Sequence, residues 1–512
     1  MKYKKDSLVY NTFLLTLANF FIRIMGFVYR IVISRLAGAE TMGLMQMMMP
    51  LYSTFIGIVA SGIPIALTRI ITTYRTKGDY RAIKNTITSA FIGISTLSSL
   101  LFVIFILNIN LFSSRLLSNN MTKIPLMLLS PCIIIISIKA IFRGYFHGMK
   151  KIHIPAMANI FEQIIRIGLI FALFYYIAPN DIESSAHLIV IGMVIGELAS
   201  LLFLHVNFYK HSAFIRTYDS SCNVHGTTLK SIGKIALPIT STRVILSIAS
   251  SIRAAVVPRQ FMLMGMTSKE ALNSFGIIGS MVVPLFFIPF IIINGLGTIL
   301  IPNISEDVAA KRWDSIRNKI SKAIAITCVT AFFSSTILKS LGGHIGVFLF
   351  KEPDVGKYLT PSAPFLVLLC LHQTLSSIMN GLGLERDCAG NNIIGAVVEL
   401  IALYIFIPIK GVFGYIISFY LGSAVAAFLH YISIYKKTSL SFNIAKWVLG
   451  PVFSTFITGL CIKIILMKLL LSSMASYFII LLPTIVGFFV FLSVLWAVNV
   501  AIDKLIQSWI YR

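Results

Sequence analysis

Charge of one sign is scarce in this chain: it has 18 Asp and Glu against 43 Lys and Arg, in 512 residues. Charged residues make up only 12% of the sequence and hydrophobic ones 57%, with a mean hydropathy of +0.89. A soluble globule of this size could not cover its surface with so few polar groups, so that class is excluded. Cysteine is sparse and unpatterned. The six (Cys132, Cys222, Cys328, Cys370, Cys388, Cys461) contain no CxxC pair, so neither a disulfide framework nor a zinc site is indicated, and small apolar fillers are expected. No G-x-x-x-x-G-K-[ST] loop occurs, which removes ATP hydrolysis by the chain itself. No HExxH, nucleophile elbow or paired acidic loop motif is present either. The expectation is therefore a non-enzyme with no cofactor and no metal, and any uphill work has to come from an ion gradient or the membrane potential.

What the sequence has in quantity is apolar runs long enough to cross about 30 Å of hydrocarbon. Fourteen are centred near residues 20, 55, 95, 132, 165, 196, 244, 285, 328, 368, 400, 422, 458 and 487. The start, Met1-Lys2-Tyr3-Lys4-Lys5, looks like a basic leader, but the run after it holds Arg23 and Arg30 and lacks a convincing cleavage site, so it reads as an uncleaved span. The fold class is thus all-α and polytopic. Basic residues collect on alternate loops, twenty on one side against about ten on the other. By the positive-inside rule both termini are expected in the cytoplasm. The net charge of +25 is accordingly topological, with a bilayer rather than a nucleic acid as the partner.

The chain also repeats itself. Pro50-Leu51-Tyr52, then Tyr80, then Ile83-Lys84-Asn85-Thr86-Ile87-Thr88-Ser89-Ala90 returns about 234 residues later as Pro284-Leu285-Phe286, Trp313 and Ile316-Arg317-Asn318-Lys319-Ile320-Ser321-Lys322-Ala323. Gly144 and Gly381 each end a span, with Glu162 and Glu399 eighteen residues beyond. Two six-helix repeats follow: an N-lobe over 1–209, a cytoplasmic linker over 210–231 and a C-lobe over 232–436, with two additional spans in 437–512. Pro284 and Pro289, followed by Asn294-Gly295-Leu296-Gly297, mark a candidate hinge.

An ionisable side chain within a span is by default a candidate for function. Arg23 and Arg30 lie seven apart on the first span, and Arg243 and Arg253 lie on the seventh. Such converging cations suit an anion, and guanidinium groups grip phosphate oxygens two at a time, so these four are the candidate substrate-binding set for a pyrophosphate headgroup. Lys139, Glu162, Arg166, Glu197 and Glu399 are cavity or structural charges, with Glu162 and Arg166 spaced to pair along one helix.

The stretch Ile141-Phe142-Arg143-Gly144-Tyr145-Phe146-His147-Gly148, with Pro155 and Glu162-Gln163-Ile164-Ile165-Arg166, is similar to the R-G-Y-F-Q-G…P…E-Q-x-x-R signature of stage V sporulation protein B and related polysaccharide transporters; His147 stands in place of the glutamine. Arg23-Ile24-Met25-Gly26-Phe27-Val28-Tyr29-Arg30 resembles that family's first helix, and Leu300-Ile301-Pro302-Asn303-Ile304-Ser305-Glu306 its segment after span eight. The resemblance implies the multidrug/oligosaccharidyl-lipid/polysaccharide (MOP) exporter superfamily, with a MATE- and MurJ-like fold of two six-helix lobes around a V-shaped cavity. It also implies a groove for a lipid tail beside the two extra helices, and alternation between inward- and outward-open states. Arg23 maps onto the cavity arginines of the flippases, while Tyr29-Arg30 stands where those carry Arg-Asp. The expected activity is flipping of an undecaprenyl-pyrophosphate-linked glycan for spore cortex assembly, with wall-synthesis enzymes as candidate partners. The competing expectations are a cation-coupled multidrug exporter of the same superfamily and a non-transporting membrane scaffold.

Overall fold

The computed structural model describes residues 8–179, 181–213, 226–440, 445–471 and 476–510, with side chains from residue 21 to 500 outside the gaps. Cys222 and most of the expected linker, 214–225, lie outside the described residues. What is described is helix joined by short turns, as a hydrocarbon solvent demands, because a helix satisfies its backbone groups internally. In chain order the helices are α1 (Leu8–Ala60), α2 (Ile63–Thr76), α3 (Tyr80–Leu107), α4 (Lys123–Leu129), α5 (Cys132–Gly148), α6 (His153–Ile177), α7 (Ile182–His211), α8 (Gly226–Leu263) and α9 (Ser268–Gly276). A π-helical stretch, Ile277–Val282, leads into α10 (Val283–Phe286), α11 (Phe290–Ala309), α12 (Trp313–Phe350), α13 (Asp354–Ser362), α14 (Leu366–Gly381), α15 (Glu385–Lys410) and α16 (Val412–Thr438). The last two are α17 (Gly450–Leu471) and α18 (Ser476–Ile510).

Twelve described segments are long and apolar enough to cross a membrane, and a thirteenth is the pair that meets in a 52° bend between Phe286 and Phe290. The expected count of fourteen agrees with this once α1 is examined. Its 53 residues extend to about 80 Å, more than twice the hydrocarbon thickness, and Gly38 (φ 77°, ψ 169°) breaks it into two pieces. Large side chains such as Leu471, Tyr176 and Trp496 are 87%, 82% and 72% exposed, as expected of a surface facing lipid.

The helices form two compact units, residues 1–262 with 266–276, and residues 263–265 with 277–512. This division differs from the expected one at the 210–231 linker, because α8 and α9 pack with the first unit. The reason is small residues at their contacts with α1 and α2. Thr54 Oγ1 lies 3.1 Å from Ser251 Oγ, and Ser61 Oγ donates to Thr240 Oγ1 at 3.3 Å. At Gly62 an added Cβ would stand 2.4 Å from the Ala236 carbonyl oxygen. The start of α9 is fixed by a reciprocal capping box, Glu270 Oε2 accepting from the Thr267 amide (2.8 Å) and Thr267 Oγ1 from the Glu270 amide (3.2 Å).

The duplication survives as matching cores. In the first unit Leu67, Ile83, Ile87, Phe142 and Leu204 join α2, α3, α5 and α7. In the second Ile304, Ile316, Ile320, Ile378 and Ile434 join α11, α12, α14 and α16. Thr68 Oγ1 donates to the Gly144 carbonyl (3.4 Å) and Ser305 Oγ to the Gly381 carbonyl (3.0 Å), each across 76 residues, so the two contacts are related by an offset of 237. Gly144 lies inside α5 rather than at its end, and serves close helix approach: an added Cβ would meet Leu67 Cβ at 2.6 Å.

Candidate functional site

In the first unit α5, α6 and α7 bring four of the expected charges together. Lys139 comes from α5, Glu162 and Arg166 from successive turns of α6, and Glu197 from α7. Lys139 Nζ donates to Glu162 Oε2 (2.6 Å) and Glu197 Oε2 (2.5 Å). One terminal nitrogen of Arg166 donates to Glu162 Oε1 (2.6 Å) and Glu197 Oε1 (3.3 Å). The ring is closed and neutral, with every carboxylate oxygen engaged. Gly196 favours the close approach of α6 and α7: an added Cβ there would stand 3.2 Å from Arg166 Cβ and 3.3 Å from the Glu162 carbonyl oxygen, so the neighbours would have to give by a few tenths of an ångström. The Lys139 side chain is 1% exposed, a burial tolerable only with both carboxylates in place. Above the ring Arg166 Cζ lies 5.7 Å from the Tyr29 ring centroid, a cation–π contact that ties α1 to the cluster. The expected Glu162–Arg166 pair is thus half of a larger device. The sequence showed Glu197 and Lys139 as charges in spans but not their convergence, which depends on how three helices pack.

The arginines of the expected binding set behave differently. Arg23 and Arg30 on α1, and Arg243 on α8, are exposed, and none of the three enters an ion pair among the described residues. Arg253 is half-buried and reaches Ser250 Oγ at 3.2 Å. Arg23 and Arg30 precede the Gly38 break, whereas the side-chain hydrogen bonds at Thr54 and Ser61 that join α1 to α8 come after it. Glu399 stands apart, on α15 of the second unit, where its Cβ lies 2.7 Å from the Cβ position of Gly422 on α16.

In the second unit a cavity of about 320 Å³ opens between the helix break, α12 and α18. It is lined by Leu285, Ile288, Pro289, Phe333, Ile480 and Thr484, and is almost wholly apolar. Of the two candidate hinge prolines, Pro289 precedes α11 at the 52° bend and lines this cavity, whereas Pro284 is buried within α10.

Residues 8–259 match the model of a family described as polysaccharide biosynthesis protein. Stage V sporulation protein B of Bacillus subtilis (strain 168) is 26% identical over 450 residues, covering 87% of each chain. The structure of the lipid II flippase MurJ in an inward closed conformation superposes with a TM-score of 0.72, at 16% identity, over 95% of this chain and all of that one. An inward-facing MATE transporter of the MOP superfamily superposes with a TM-score of 0.66, also at 16% identity, over 82% of this chain and 94% of its own. These likenesses show that the chain shares the fold of those transporters. The neutral tetrad and the exposed Arg23, Arg30 and Arg243 are separate populations of charge, and among the described residues the second group has no carboxylate partner.

Proposed function

We propose that this chain is a flippase of the MOP superfamily that moves a lipid-linked glycan, an undecaprenyl-pyrophosphate-linked cell-wall precursor of the kind used in spore cortex assembly, across the bacterial cell membrane. The observation that carries the reading is the division of the cations. Those in the tetrad are neutralised, while Arg23, Arg30 and Arg243 are exposed on α1 and α8 without a carboxylate partner among the described residues. Unpaired guanidinium groups at membrane depth are costly unless an anion meets them, and a pyrophosphate offers oxygens spaced for two-point contact. The apolar cavity beside α18 offers the polyprenyl tail a surface as greasy as the bilayer. Kinship to stage V sporulation protein B and the likeness to MurJ support the substrate class. A drug exporter for cations would need unpaired carboxylates, and Glu162 and Glu197 are both fully engaged. Alternation between inward- and outward-open states with both termini cytoplasmic completes the proposal.

The test is the double variant Arg23→Ala/Arg243→Ala, reconstituted in vesicles with a labelled lipid-linked precursor. Loss of headgroup translocation at normal protein level and thermal stability is expected. Unimpaired translocation would remove the arginine model. Translocation absent from the wild-type protein, together with cortex formation that tolerates the variant, would favour the scaffold.

A further inference from the structure

In the second unit α14, α15 and α16 meet around a polar group that the proposed arginine site does not use. His430 on α16 is completely buried and His372 on α14 is half-buried, and their rings stack parallel, 2° apart with centroids at 5.3 Å. Both direct Nε2 at one atom, Asn392 Oδ1 on α15, at 2.9 Å from His372 and 3.2 Å from His430. An amide oxygen only accepts, so both Nε2 atoms carry hydrogen, and the charge of each ring is decided at Nδ1. His430 Nδ1 faces the Asn391 amide nitrogen at 3.2 Å, a donor, and is therefore an unprotonated acceptor. His372 Nδ1 has no hydrogen-bond partner among the described residues.

The groups that touch the pair are uncharged, although the Glu385 carboxylate at the start of α15 acts on the Cys388 thiol. From α15, Cys388 Sγ lies 3.8 Å from the Asn392 amide nitrogen and 3.2 Å from Ser376 Oγ of α14. From α16, Ser433 Oγ lies 3.4 Å from the Asn391 amide nitrogen. From α11, Asn294 Oδ1 accepts from Gln373, the neighbour of His372, at 2.9 Å. From α12, Thr327 bonds Thr374 at 2.7 Å beside the Cys328 thiol, and α14 adds the Cys370 thiol. No carboxylate or cation among the described residues touches either imidazole. Along this face of α15 the carboxylates Glu385 and Glu399 lie seven residues to either side of Asn392, so each is about 10 Å away along the helix. The corresponding helices of the first unit (α5, α6, α7) hold the closed charged tetrad, whose Glu162 matches Glu399 in the repeat, so fixed charge lies in one half and a pair of neutral, titratable rings in the other.

We propose that His372 and His430 form a one-proton binding site and that the proton is the ion coupled to transport; the second clause rests on the transport reading above. A proton from water adds to the lone pair of His372 Nδ1, forming an N–H bond, and the ring's positive charge strengthens its hydrogen bond to Asn392 Oδ1. On release that N–H bond breaks and the proton returns to water. A second proton on His430 would set two cations in parallel contact and require Asn391 to turn its amide, so the site takes one. A charge gained between three packed helices favours the state that opens them to water, which is how occupancy biases a two-state carrier.

The experiment reconstitutes the full chain with a labelled lipid-linked precursor under an imposed pH gradient at zero membrane potential. With one proton per cycle, each pH unit biases translocation by about tenfold, and His372→Gln and His430→Gln are expected to lose this bias while keeping gradient-independent translocation. Asn392→Asp, which puts a carboxylate between the rings and holds the proton, is expected to lose it too. In parallel, histidine nitrogen NMR on substrate-free protein, with the two rings assigned by their loss in the Gln variants, is expected to show one ring gaining a second N–H between about pH 8 and pH 5. Two rings that stay neutral throughout overturn the site, whether or not transport is seen. Translocation by the wild type that ignores the pH gradient, or variants that still respond to it, overturn the coupling while leaving the flippase reading intact. A pair that takes one proton in a protein that moves no precursor upholds the site and counts against the flippase.

Discussion

A lysine whose side chain is 1% exposed in a membrane protein has to be explained by its partners, and Lys139 has two. Removing one member of a closed ring leaves an unbalanced buried charge. Lys139→Met is therefore expected to destabilise the first unit by about 3–5 kcal/mol, the usual consequence of breaking a buried pair from one side. Replacing the whole ring with apolar residues of similar volume is expected to be much milder. Thermal unfolding in detergent would compare them, and a single variant no worse than the full replacement would mean that the ring does not act as a unit. The sequence exposed these residues because charge in an apolar run is conspicuous, and it offered Glu162–Arg166 because that pair is one turn apart. Lys139 and Glu197 come from α5 and α7, 58 residues apart, and no local spacing reveals that. His372 and His430 escaped attention for a related reason: a lone histidine in a span carries no signal until its ring is found stacked on another.

At the scale of elements, close approach separates two glycines that the repeat makes equivalent. An alanine Cβ at 144 would collide with Leu67 Cβ at 2.6 Å, whereas at 381 the nearest atom, Ile304 Cβ, lies at 3.1 Å. Gly144→Ala is thus expected to cost about 1–3 kcal/mol by overpacking, and Gly381→Ala distinctly less. The reverse order in thermal unfolding would show that the α2–α5 contact is softer than its geometry suggests. Helix starts offer a pH test. Asp181 caps α7 by accepting from the Ser184 amide at 3.1 Å, and the hydrogen bonds from Ser184 hold its carboxyl below the usual carboxylate range. A depressed value means that the cap's contribution is complete above the unfolded carboxylate value of about 3.9 and is lost as pH falls through the folded one. Protection of the amides at the start of α7, measured against their intrinsic exchange rates, should fall on acidification in the wild type and stay constant in Asp181→Asn, which caps without titrating. The bend at Pro289 was legible from its prolines; the break in α1 was not, because Gly38 in an apolar run looks like any helical glycine until its φ of 77° is seen.

For the whole molecule, hydrophobic runs revealed the architecture because every span must satisfy its own backbone, so the count and the duplication were both readable from the chain. The boundary of the compact units was not, since α8 joins the first through serine, threonine and glycine contacts that have no periodic signature. The two terminal helices lie outside the duplication, and what they add can be tested at the apolar cavity against α18. Thr484→Trp would fill much of its 320 Å³ with an indole. If the cavity receives the polyprenyl tail, translocation of a full-length precursor should fall, while a short-chain analogue with the same pyrophosphate headgroup should move at the wild-type rate. Arg23→Ala should show the opposite pattern and impair both substrates alike, because it acts on the headgroup they share. Equal impairment of the two substrates by Thr484→Trp would instead mean that the cavity serves the movement of the helix break at Pro289 rather than the tail.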